Sequence, residues 1–96
     1  MTVLNGRAVR EREEEHLAAL RKALTGRVAG LELVTPETGP PYLRVTGAHE
    51  ELTEGIRVAR VGDGWWFWWS WGEPICPAGD VDTAADRVVR VVGGGA

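Results

Sequence analysis

Thiols, histidines and long apolar runs are scarce in this chain, and each scarcity closes off a class of function. One cysteine, Cys76, among 96 residues leaves no internal disulfide. Set in Pro74-Ile75-Cys76-Pro77 with no charged neighbour to lower its pKa, it reads as a small buried apolar residue and not a reactive thiol. The two histidines, His16 and His49, stand far apart. Glu13-Glu14-Glu15-His16 lacks the second histidine, four residues away, that a helical zinc motif needs. His49-Glu50-Glu51 reads as a solvated loop. No metal and no cofactor are expected. No run approaches the ~18 apolar residues of a membrane span, and Met1 to Arg7 lacks the apolar block of a secretory signal. The expected setting is the cytoplasm, without a membrane partner. Net charge −3 and a pI near 5.3, with basic residues interspersed among acids, argue against nucleic acid as partner.

Catalytic groupings are equally sparse. Ser70 and Cys76 are the nucleophile candidates near the aromatic run, and neither has a base beside it in sequence. Gly62-Asp63-Gly64 lacks the strand-to-helix setting and the Lys-Ser/Thr end of a phosphate loop. No catalytic residue is assigned, and the chain is expected not to be an enzyme.

Aromatic residues are concentrated instead of scarce. All five tryptophans and the only phenylalanine fall in Trp65-Trp66-Phe67-Trp68-Trp69-Ser70-Trp71. The run is short and bounded by Gly62-Asp63-Gly64 and Gly72-Glu73-Pro74, which marks a strand. Alternation then puts Trp65, Phe67, Trp69 and Trp71 on one face and Trp66, Trp68 and Ser70 on the other.

Around this strand the pattern predicts a helix over 7–25, with Leu17, Leu20 and Leu24 as its apolar stripe and Gly26 as its cap. Glu14 and Glu15 stand at pairing distance from Arg10, Arg12 and Arg21. Strands follow over 28–34, 42–46 and 56–61, with turn chemistry at 35–41 and a polar loop at 47–55. An Asp63-Gly64 type I′ turn would pair Val61 with Trp66, Ala59 with Trp68 and Val58 with Trp69; a three-residue loop would exchange these partners. Asp80 is the expected N-cap of a last helix ending at Val92, with Val88 on its apolar stripe. Residues 1–6 and 93–96 read as frayed ends. The expected fold is one α+β domain over 1–96, a two-layer sandwich of helix, four-stranded antiparallel meander and helix.

Two helices can cover one face of such a sheet. The core is therefore expected to hold Ile56, Val58, Phe67, Trp69 and Trp71 with Leu17, Leu20, Leu24 and Val88. The other face would expose Trp66, Trp68, Arg57, Ala59 and Val61, joined by Arg44. Tryptophan and arginine dominate binding hot spots, and an apolar patch of a few hundred Å² marks an interaction site. The expectation is a protein-binding, adaptor or chaperone-like module, forming a homodimer or engaging another protein. Single-stranded bases are disfavoured by the acidic balance, and a polysaccharide by the cytoplasmic setting. The alternative is a small-molecule binder with a pocket between helix and sheet near Trp71 and Cys76.

Pro40-Pro41-Tyr42-Leu43-Arg44-Val45, Trp65-Trp66-Phe67-Trp68-Trp69-Ser70-Trp71-Gly72-Glu73-Pro74-Ile75 and the closing Ala/Val-rich helix resemble a group of small actinobacterial proteins without an established role. The likeness covers about residues 8–92 and implies a cytoplasmic stand-alone domain, with no activity to transfer. The element order is also similar to that of secretion-chaperone-like domains, which bind other proteins and often dimerise; this is an analogy of order alone. Double-stranded-RNA-binding domains share a related order, but Asp80, Asp82 and Asp86 stand here where those domains place basic residues.

Overall fold

Leu17, Leu20 and Leu24 recur at helical spacing, and in the computed structural model all three are fully buried along one side of α1 (Gly6–Leu24). The structure describes residues 6–48 and 52–93. The expectations for residues 1–5, for His49-Glu50-Glu51 and for 94–96 lie outside the described residues. Gly6, read as part of a frayed end, is the first residue of α1. The charged half of the helix departs from the expected pairing. Arg10 donates to the Pro36 and Gly39 carbonyls at 2.5 and 3.1 Å, pinning the loop that follows the first strand. Among the described residues, no ion pair joins Glu14 or Glu15 to Arg10, Arg12 or Arg21, and Arg7–Glu11 at 3.4 Å is the pair found on this helix. Gly26, at φ +83°, turns the chain into the sheet.

Five antiparallel strands follow in sequential order: β1 (Gly30–Val34), β2 (Tyr42–Thr46), β3 (Thr53–Val61), β4 (Gly64–Trp69) and β5 (Pro74–Pro77). α2 (Val81–Val92) closes the described chain. The architecture is the expected α+β sandwich, a helix, a meander and a helix, with one strand more than the sequence suggested. β5 is hidden in the sequence by its two prolines. At the margin of a sheet a proline is tolerated, because its missing N–H removes no ladder bond, and β5 is a marginal strand. A register shift opposite Phe67 and Trp68 leaves Ile75 unpaired between Cys76 and Pro74, so neighbouring Ile75 and Cys76 are both buried. β1 starts two residues later than expected, since 25–29 form the turn, and β3 starts three residues earlier than expected.

The β3–β4 hairpin is the chief correction to local geometry. Its turn residues are Gly62 and Asp63, so Val61 pairs with Gly64, Ala59 with Trp66, Val58 with Phe67 and Arg57 with Trp68. Gly62 has φ +61° and Asp63 is not left-handed. That is the type II′ pattern, with glycine first, and not type I′. The pairing slides by two residues from the expected one, and a shift of two keeps every side chain on its face.

Leu43, Val45, Ile56, Val58, Phe67 and Trp69 accordingly meet Leu17, Leu20, Leu24, Ala84, Ala85, Val88 and Val92 in one core. Trp71 is not in it. Trp69 N–H bonds the Glu73 carbonyl at 2.8 Å and Gly72 N–H the Trp69 carbonyl at 2.9 Å, so the chain turns immediately after β4. Carried out of the strand, Trp71 is half exposed and stacks on Trp69, with centroids 4.7 Å apart and planes at 7°. Asp80 occupies the N-cap of α2 with its backbone carbonyl accepting from Ala84, but its side chain makes no capping bond.

Candidate functional site

Both helices lie on the side of Phe67, and the opposite side of the sheet carries the residues read as an interface. Register places Trp68 beside Arg57 and Trp66 beside Ala59, and Val61 sits two residues further along β3. Trp66 and Trp68 are half-buried; Arg57, Ala59 and Val61 are exposed. Val61, Trp66, Trp68 and Pro74 line a shallow concavity of about 180 Å³ with no charged side chain in it. Its shape depends on the far strand: Pro74, invisible as a contributor until β5 forms, supplies one wall.

Arg44 is held apart from this apolar part. It lies across β3 on β2, opposite Gly55 and Glu32. Its guanidinium donates to Glu32 at 3.2 Å and to the Tyr42 hydroxyl at 3.4 Å. Thr46 and Thr53 hydroxyls, 3.3 Å apart, extend this polar quarter. Gly55 joins the two parts. A Cβ there would lie within 4 Å of both Ser70 and the Tyr42 ring, so glycine keeps the surface low between them. Tyr42 is thus a member of the face, two residues from Arg44 on the same side of β2. The face also overhangs. β2 pairs with β3 only as far as Ile56, whereas β4 pairs with it to Val61, so the part bearing Ala59, Val61 and Trp66 extends past β2.

Trp68 Nε1 is covered and has no acceptor among the described residues. His16 Nε2 is in the same state, on the helical side. His16 packs against Trp65 at 5.6 Å between centroids, while Arg60, the cross-strand partner of Trp65, holds its guanidinium carbon 6.0 Å from that ring. Burial holds the His16 imidazole below its ordinary pKa, with Arg12 acting the same way and Glu15 opposing. His16 thus serves as a packing residue beneath the hairpin.

Cys76 is buried within β5, its Sγ 3.5 and 3.6 Å from the carbonyls of Pro77 and Asp80. Burial pushes its thiol up, against a downward pull from Arg87 and with a smaller rise from Asp80. Such a thiol is poor in thiolate at neutral pH. Among the described residues, no group of three His, Cys, Asp or Glu side chains is placed to hold a metal ion, and no helix is long and apolar enough to cross a membrane.

No family model, curated protein or solved structure matches the chain.

Proposed function

We propose that this protein is a non-enzymatic binding module that self-associates through the open face of its sheet, in a cytoplasmic setting. The observation that carries the reading is the apolar concavity of Val61, Trp66, Trp68 and Pro74 on the one side of the sheet without a helix. A stable interface buries about 800 Å² per partner, more than these four residues provide. Arg57 and the Tyr42–Arg44 quarter therefore belong to the buried area, with the tryptophans at its centre and the polar groups at its rim. The resemblance to actinobacterial proteins supplies no activity, and that to chaperone-like domains supplies only the habit of pairing.

Sedimentation over a concentration series tests this directly, with circular dichroism of the same samples as the control for folding. The wild-type chain is expected to dimerise, and Trp66→Ser/Trp68→Ser to remain monomeric with an unchanged helix and sheet signal. A wild-type chain that stays monomeric at all concentrations, or a double variant that unfolds, would overturn the reading.

A further inference from the structure

A second feature lies where α2 crosses the β4–β5 end of the sheet, and it meets the open face only at Pro74. The C-terminal half of α2 and the turn between β4 and β5 enclose a cleft of about 260 Å³. Trp69 and Ile75 form its apolar lining, with Glu73, Arg87, Arg90 and Val91 around them. Arg87 and Arg90, three residues apart, share one side of the helix. Arg87 is already committed in part, since it donates to the Ile75 carbonyl. Arg90 has no hydrogen bond or ion pair among the described residues. The one carboxylate in the cleft, Glu73, accepts from Trp71 Nε1 at 3.1 Å. Two guanidinium groups against one engaged carboxylate leave the cleft cationic. Val91 is about half exposed, at 48%, whereas Trp71 lies outside the lining, flat on the Trp69 ring and bonded to Glu73. Cys76 does not line this space.

From this arrangement we propose a binding site for a small aromatic carboxylate. A guanidinium fork accepts a carboxylate in two parallel hydrogen bonds, which fits the free Arg90, with Arg87 adding charge from one turn away. A ring attached to that carboxylate meets the rim of the Trp69 indole and the aliphatic wall of Pro74, Ile75 and Val91. Size narrows the class further. The cleft is smaller than the roughly 300–1,000 Å³ of sites that enclose drug-sized ligands, so it takes a single-ring molecule and not a nucleotide. The site shares no residue with the self-association surface except the margin at Pro74, and it stands or falls separately.

The test is a nuclear magnetic resonance titration with phenylacetate, with acetate and 2-phenylethanol as probes of each half of the molecule. Phenylacetate is expected to shift the Trp71 indole N–H and the backbone amides of Glu73 and Val91 saturably, with a Kd on the order of 1 mM. Acetate and 2-phenylethanol are each expected to bind at least about tenfold more weakly, because each lacks one of the two contacts. Arg90→Met, an exposed change that leaves the core untouched, should weaken phenylacetate about tenfold or more. Trp66→Ser/Trp68→Ser should bind it as the wild type does, whatever happens to self-association. Absence of saturable shifts, shifts confined to the Arg44–Arg57 face, or equal binding by Arg90→Met would overturn the assignment.

Discussion

His16 carries the pH dependence that a single side chain imposes on this fold. Its imidazole is held below the ordinary 6.5 by burial against α1's neighbours and Trp65. The folded chain therefore binds this proton less readily than the unfolded chain. The resulting stability is complete above about pH 6.5 and is lost as the pH falls through the folded value. Glu13, one turn earlier, acts in the opposite sense. Burial raises its carboxyl above 4.5, with Arg10 lowering it and Glu14 raising it, so its contribution grows as the pH falls. Arg12 on the helix disfavours a charged His16, and Glu15 favours it. Because the two windows adjoin, the informative quantity is a difference between variants. Between about pH 7.5 and pH 5 the thermal midpoint of the wild type is expected to drop further than that of His16→Leu. Equal drops in the two proteins would remove His16 from the account.

At the scale of the element, the β3–β4 hairpin depends on one glycine. Gly62 occupies φ +61°, a conformation that costs an L-residue about 1–2 kcal/mol, and nothing crowds the position where its Cβ would be. Gly62→Ala should therefore destabilise by roughly 1 kcal/mol through backbone strain alone, read as a lower urea midpoint at unchanged slope. An unchanged midpoint would mean that the turn relaxes into another type. The same hairpin explains why the aromatic strand survives an error in its expected pairing. Sliding by two residues returned Trp66 and Trp68 to the side opposite Phe67 and Trp69, whereas a slide of one would have exchanged the core for the surface.

For the molecule as a whole, a tight backbone approach joins the end of α2 to the connection leaving β2. Ala48 N–H bonds the Gly93 carbonyl at 3.3 Å, and Gly47 N–H bonds the Leu52 carbonyl at 2.9 Å. A Cβ on Gly47 would run into the Val92 carbonyl, which is backbone and has no rotamer by which to move aside. Gly47→Ala is expected to force α2 off its seat and destabilise by about 2–3 kcal/mol. For a chain of this length that is a fall in melting temperature of roughly 10 °C or more. A loss as small as that of an ordinary surface change would show that α2 shifts freely. The Arg27–Asp86 pair, 2.8 Å and largely exposed, ties the first turn to α2 but adds little by comparison.

Alternation and helical spacing were enough to place the leucines of α1, Val88 of α2 and the two sides of the Trp65–Trp69 strand, because those patterns are local and repeat every two or three to four residues. Turn residues marked the hairpin but not its type, since Gly62-Asp63 and Asp63-Gly64 are both good turns and the choice rests on how the strands fit their neighbours. Three features came from contacts that neither period records. β5 exists because a proline-bearing segment finds β4 beside it, Trp71 leaves the core because the chain doubles back to Glu73, and Arg90 meets Trp69 only when α2 packs across the sheet. A period along the sequence records which way a side chain points, but not what the folded chain brings to meet it.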